Sequence, residues 1–191
     1  MTVSEAVKQR RTVRAFENRP VDRDVLLGIC DDARLYACSA NLQPIRFKIV
    51  SEKAESDAIF PLIRLAGYIP GYALEEKEQP PAYILIATED TDASRWQFEA
   101  GAVCTSIMLL AKEQGLETCC IGNFDRKKVA TLLGLDTSRY SLLYLIAIGP
   151  SSQQNRICPV TDGIKYAYEN GTFTIKALET GEVLQSWTVN A

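Results

Sequence analysis

SRWQFEAGAVCTSIMLLAKEQ, Ser94–Gln114, is the longest helix candidate in the chain, and how it is read decides the fold. Ala100, Val103, Cys104, Ile107 and Ala111 recur at helical spacing on one side. Phe98, Ala102, Thr105, Met108, Leu109 and Lys112 cover the other. A helix apolar nearly all round belongs in the interior, so this one is expected to be a buried central helix, stopped by Gly115.

Strands are expected on both sides of it: Ala82–Glu89 before, the short run Thr118–Gly122 after, then Ser141–Gly149. Toward the N-terminus, Val3, Ala6, Val7 and Arg10 give a short first helix. A second follows Pro20 with Asp22 as N-cap and a stripe of Val25, Leu26, Ile29, Cys30, Ala33 and Ala37. Arg46–Ser51 alternates as a strand. Asp125 caps a helix that Gly134 ends. The segment Glu52–Pro81 is broken by Pro61, Gly67, Pro70, Gly71, Pro80 and Pro81 and predicts short helices with a lid-like excursion over 61–79. The C-terminal part, 164–191, predicts a hairpin turning at Glu169–Gly171 and a strand-like tail, EVLQSWTV, Glu182–Val189. This order lacks regular βαβ alternation, and neither a G-x-G-x-x-G nor a P-loop sequence is present, so a Rossmann sheet is not expected.

The chain has 191 residues, 47% of them hydrophobic, which suits a single domain over 1–191. The formal net charge of −3 argues against nucleic-acid binding, although Lys8, Arg10, Arg11 and Arg14 form a local basic patch. No apolar run approaches a bilayer span, and the N-terminus lacks a signal-peptide core, so a cytoplasmic protein with no membrane partner is expected. Histidine is absent. That excludes His-containing triads and dyads and His-ligated metals, and leaves carboxylate or cofactor chemistry. The six cysteines contain no C-x-x-C pair, so no metal site is expected.

Three short stretches have chemical potential. In RRTVRAF, Arg10–Phe16, alternate residues Arg10, Thr12 and Arg14 face one way on an extended chain and suit a phosphate; a solvated helix end is the plain alternative. In SANLQPIRF, Ser39–Phe47, the amides of Asn41 and Gln43 are two apart and match the donor and acceptor edge of a flat heterocycle; a self-satisfied polar turn is the alternative. In CCIGNFD, Cys119–Asp125, Gly122 allows a ring close to its backbone N–H, against an ordinary strand-to-helix loop. A thiol-dependent enzyme using Cys119 or Cys120 lacks a histidine activator and is the weakest alternative.

Taken in order, RRTVRAF, SANLQP, EAGA at the start of the long helix, GLETCCIGNFD and LIAIG resemble the nitroreductase family of FMN-dependent oxidoreductases, from about Ser4 to Gly149. The resemblance implies an α+β fold, a three-layer α/β sandwich with a central, mostly antiparallel sheet, in an intertwined homodimer. It implies FMN, with NADH or NADPH as donor and an electron-poor small molecule (nitroaromatic, quinone or enone) as acceptor. A non-catalytic flavin carrier is the alternative. The cofactor residues it implies are Arg10, Arg11, Thr12, Arg14, Cys38, Ser39, Asn41, Gln43, Ile121, Gly122 and Arg156. The amide motif is implied to come from the partner subunit. Cys38 departs from the family pattern, which has a hydroxyl residue there. No side chain is expected to be catalytic, because the flavin N5 carries the chemistry. Tyr68, Ile69 and Tyr72 in the excursion are expected to contact the substrate.

Overall fold

The computed structural model describes residues 1–183. The chain forms two compact units, Met1–Leu65 with Ala73–Ser152, and Ala66–Tyr72 with the segment from Gln153 onward.

In the first unit, β1 (Ile45–Val50), β2 (Ala82–Thr88), β3 (Glu117–Ile121) and β4 (Ser141–Gly149) form an antiparallel sheet in the order β1-β2-β4-β3. Every residue of β2 is buried, because β1 and β4 flank it and helices cover both faces. On one face, α2 (Arg23–Ala33) and α4 (Gln97–Glu113) press Leu26, Ile29, Val103 and Ile107 onto Ile84, Ile86, Ile146 and Ile148. On the other, α3 (Lys53–Ile59), α5 (Arg126–Leu132) and the extended Val13–Phe16 segment bring Ile59, Val129, Val13 and Phe16 onto Tyr83, Leu85, Leu145 and Ala147. The period-2 pleat sends alternate residues of each strand to opposite cores, giving the three layers expected.

Local chemistry sets the helix ends. α1 (Val3–Gln9) starts with a capping box in which Glu5 N–H donates to Thr2 Oγ1 at 3.2 Å and Thr2 N–H donates to the Glu5 carboxylate at 2.7 Å. Asp22 and Asp125 cap α2 and α5 through Asp24 N–H at 2.9 Å and Lys128 N–H at 3.1 Å. Gly115 and Gly134 end α4 and α5 at φ of 73° and 62°.

Three expectations need correction here. The second helix stops at Ala33, so Ala37 lies beyond it and is exposed. The central helix is buried on one face only: Phe98 is 68% exposed, and Gly101 and Thr105 are exposed too. The sheet can cover only a single side of α4; on the other, the first residues of the chain and α1 reach only the stretch around Ser106, Leu109 and Leu110, and the N-terminal part with Phe98 stays exposed. The tail is helical at its start, with α6 spanning Thr180–Val183. The rest of the expected strand lies outside the described residues.

In the second unit, β5 (Gln154–Pro159), β6 (Ala167–Glu169) and β7 (Thr172–Ala177) form a sheet in the order β5-β7-β6. The predicted hairpin is β6–β7, turning through Asn170 at φ 50° and Gly171 at φ 78°. β5 pairs parallel to β7 and was not visible in the sequence, because QNRICP does not alternate and ends in proline. Its position at the sheet edge tolerates both features. Tyr68 and Tyr72 belong to this unit. Tyr68 packs on Tyr166 with ring centroids 5.1 Å apart, and Tyr72 packs on Tyr168 and Phe173 at 5.4 and 5.6 Å.

Candidate functional site

The amide stretch does not form the extended backbone that its two-residue spacing assumed. Ser39–Asn41 is a 3-10 turn, and Ala40, Asn41 and Gln43 have φ of 49°, 55° and 48°. Three non-glycine residues in left-handed space within four positions is a strained loop. The two amides still meet: Gln43 Nε2 donates to Asn41 Oδ1 at 3.0 Å, and both side chains are exposed. Gln43 Nε2 also reaches the Asn41 carbonyl at 3.4 Å, and each amide retains further donor and acceptor capacity.

Several contacts fix this loop. Cys38 Sγ accepts the Gln43 N–H at 3.1 Å, so the thiol works within the loop as an acceptor. Ser39 N–H donates to the carboxylate of Glu99, in the first turn of α4, at 3.4 Å. Glu99 is only 2% exposed. Burial works to raise its carboxyl, while hydrogen bonds from its own amide and from Ser39 outweigh that and hold it below the usual carboxylate range. Arg46 donates to the Gln43 carbonyl at 2.8 Å. Glu99 and Arg46 were not singled out in the sequence; an acidic residue between Phe98 and Ala100 at the start of a largely apolar helix was the available signal for Glu99. Leu42, Gln43 and Pro44 also form one wall of an open cavity of about 530 Å³. A larger cavity of about 910 Å³ lies at Asn18, Lys53 and Glu76, but Lys53 there is already paired with Asp57 at 2.6 Å and with Glu76 at 3.5 Å.

The arginine stretch leaves α1 and joins the free edge of β3 by a single parallel bridge, Thr12 to Thr118, with Val13 N–H donating to Thr118 O at 2.9 Å. Arg10 and Thr12 are half-buried, and Arg14 is buried at 9% exposure. The alternation is therefore incomplete, since Val13 is buried as well. Arg11 turns back onto α1: its guanidinium donates to the carbonyls of Lys8, at 2.5 Å, and of Arg10. Those are the orphan carbonyls of a helix end, so Arg11 is a C-terminal cap. Burial and the neighbouring Arg10 charge lower its pKa.

Ile121 ends β3 buried, and Gly122 follows it exposed. A Cβ on Gly122 would stand 3.3 Å from the ring of Tyr144, so the missing side chain makes room for that ring. Arg126 holds the turn in place, donating to the Gly122 carbonyl at 3.1 Å and the Leu142 carbonyl at 3.1 Å. Next to it, the thiol of Cys104 donates to the sulfur of Cys120; this pushes Cys104 up and holds Cys120 down. Cys119 faces the other core, where burial pushes its thiol to about 12, too high for a thiolate nucleophile. Arg156 lies in β5, within the second unit, and donates to Thr174 Oγ1 at 3.2 Å. Among the described residues no cluster of potential metal ligands occurs, and no helix is long and apolar enough to cross a membrane.

The sheet register separates two of these groups. Ile45, next to the amide loop, aligns through Thr88 with Ser141, whereas Thr12 aligns through Thr118 with Ile148. Seven residues along the strands and four strand spacings across them amount to roughly 30 Å. The amides and the Arg10–Arg14 segment of one chain therefore lie at opposite corners of the sheet, farther apart than a mononucleotide is long.

The sequence model of the nitroreductase family matches residues 7–150. YdgI of Bacillus subtilis (strain 168), by name an NAD(P)H nitroreductase, is 23% identical over 185 positions, covering 78% of this chain and 88% of its own. A substituted form of NfnB, an FMN and NADPH-dependent nitroreductase from sphigopyxis sp. strain HMH, superposes with a TM-score of 0.72 at 21% identity, over 99% of this chain and all of its own. A nitroreductase from Exiguobacterium sibiricum 255-15, solved in complex with FMN, gives a TM-score of 0.64 at 21% identity, over 80% of this chain and 89% of its own. The match over residues 7–150, the three-layer antiparallel fold and the ordered motifs agree: the chain belongs to the nitroreductase family.

Proposed function

We propose that this protein is a homodimeric FMN-dependent oxidoreductase that takes electrons from NADH or NADPH and passes them to an electron-poor small molecule in the cytoplasm. The observation that bears most weight is the exposed Asn41–Gln43 amide pair on a loop pinned from several sides. An edge of fixed donors and acceptors suits the N–H and C=O edge of a flavin ring.

The residues fit that cofactor. Arg10 and Arg14 supply guanidinium forks for a phosphate, and Thr12 adds a hydroxyl. Arg11 supports them from behind by fixing the helix end from which they emerge. Bound FMN would supply the redox chemistry, accepting hydride from the nicotinamide and delivering electrons to the acceptor. The protein's part is to hold, orient and shield, which needs no histidine. The separation of roughly 30 Å between amides and arginines favours a site shared by two chains, the amide loop of one completing the arginine segment of the other. The exposed side of α4, with Phe98, offers an apolar surface for such an interface.

Cys38 and Ser39 serve as loop supports in this account, and Ile121–Gly122 would line the reactive edge of a bound ring. Arg156 would supply a further guanidinium for the phosphate. Tyr68, Ile69 and Tyr72 would meet the acceptor; Tyr68 is 56% exposed and has an aromatic face suited to flat substrates.

Titration of the protein with FMN, followed by anaerobic NADH or NADPH, tests the proposal. A bound flavin band that bleaches within seconds is expected. Protein that stays colourless after incubation with FMN contradicts the proposal, and a bound flavin that neither nucleotide bleaches marks a carrier instead.

A further inference from the structure

From the contacts around Gln43 we infer that Arg46 is a positioning residue for the flavin edge. It holds Gln43 in a strained conformation in which its amide is presented to the cofactor. This rests on the proposed role of Asn41 and Gln43.

Gln43 has φ 48° and is followed by Pro44. A left-handed backbone is unfavourable for an L-residue, and proline further restricts the residue before it. Such a conformation persists only when its surroundings over-determine it. Both peptide groups of Gln43 are captured here. Its N–H is bound by Cys38 Sγ at 3.1 Å, and its carbonyl is bound by Arg46 Nη1 at 2.8 Å. The same Nη1 also donates to the Ile45 carbonyl at 2.9 Å, so the guanidinium bridges two carbonyls on either side of Pro44.

Arg46 is itself aimed. Its Nη2 donates to Glu89 at 3.3 Å, and the other Glu89 oxygen accepts from Arg139 at 2.9 Å and from the Tyr140 hydroxyl at 3.3 Å. Glu89 follows β2, and Arg139 and Tyr140 precede β4, so the carboxylate gathers the start of β1, the end of β2 and the start of β4. The planar guanidinium can serve the Gln43 carbonyl and the carboxylate at once; an ammonium on a flexible stem is poorly shaped for both. The Arg46 side chain is 46% exposed, so it contributes little to the core, and its removal should leave the fold intact.

The test compares wild type, Arg46→Ala, Arg46→Lys and the double variant Asn41→Ala/Gln43→Ala. For each full-length chain one measures the FMN dissociation constant by flavin fluorescence, the visible band of bound FMN, and the melting temperature without FMN. The double variant should lose affinity. R46A should raise the dissociation constant about tenfold and move the band toward that of free FMN, at an unchanged melting temperature. R46K should fall between R46A and wild type. If R46A binds as wild type while the double variant is weakened, the positioning role is wrong and the amide reading stands. If the double variant binds as wild type, the amide reading fails and this inference fails with it. A drop in affinity that only follows a lowered melting temperature, with the band unmoved, assigns Arg46 a structural role and overturns the proposal.

Discussion

If the amide loop and the arginine segment serve one flavin only across a subunit interface, chains damaged at different places should repair each other. Take one variant with Arg10→Glu and another with Asn41→Ala/Gln43→Ala, carrying different affinity tags. Arg10 is half-buried beside β3, and the amides lie roughly 30 Å away across the sheet. Reversing the charge at Arg10 replaces a charge-assisted contact with repulsion. Charged hydrogen bonds contribute about 1.5–3 kcal/mol each, so affinity should fall roughly 10- to 150-fold or more. The double variant removes the flavin-edge bonds and should lose a similar amount. Each homodimer then has two damaged sites. In a mixed dimer of two-fold symmetry both lesions fall in one site, and the other site is intact. Random mixing makes about half of the dimers mixed, so about a quarter of all sites should regain wild-type affinity. Dimers isolated through both tags should bind about one FMN per dimer. The assay is flavin fluorescence after co-refolding, with the separately refolded variants as controls. Mixed dimers that bind no more FMN than their parents would refute the shared site.

The remaining predictions address the core, the loop and the acceptor. Tyr83 is fully buried, with no hydrogen-bond partner for its hydroxyl among the described residues, and burial drives its pKa far upward. Tyr83→Phe should therefore raise stability by up to about 1 kcal/mol in urea unfolding, and a loss above that size would indicate a hidden partner. A Cβ on Gly149 would lie 2.5 Å from Cγ of Pro81 and 3.6 Å from the ring of Phe16, both held in the core. Gly149→Ala should cost about 1–3 kcal/mol, and a neutral result would mean that the strand end is looser than described. The depressed Glu99 pKa contributes stability that is fully present above the ordinary value of 4.5 and is lost as pH falls through the folded-state value below it. Stability against urea should decline below about pH 4.5, and less steeply in Glu99→Gln; parallel profiles would remove Glu99 as a source. Tyr68→Ala and Tyr72→Ala should alter the relative rates with nitroaromatic and quinone acceptors, and unchanged preference in both would exclude that role.

The parts of the fold legible in the sequence were those that local chemistry fixes. Asp22, Asp125, Gly115 and Gly134 mark helix ends wherever they sit, and the limits of β4 followed from its apolar run. What failed depended on partners distant in sequence. The apolar pattern of Ser94–Gln114 could not reveal that only one face of α4 meets the sheet. QNRICP becomes a strand only because β7 supplies its ladder. At the candidate site, the pairing of Asn41 and Gln43 was anticipated for the wrong geometric reason. A two-residue spacing brings side chains together on a strand, but here three left-handed residues fold the chain back on itself. The supports of that loop, Glu99 and Arg46, could not be assigned because each touches backbone far from or beside it, and the sequence does not mark which backbone group a side chain will bind.

The most direct measurement is the visible spectrum of the purified protein, saturated with FMN and mixed anaerobically with NADH or NADPH. The account predicts one tightly held flavin per chain, bleached rapidly by at least one of the nucleotides and restored by an electron-poor acceptor. A protein that retains no flavin, or a bound flavin inert to both nucleotides, would contradict it.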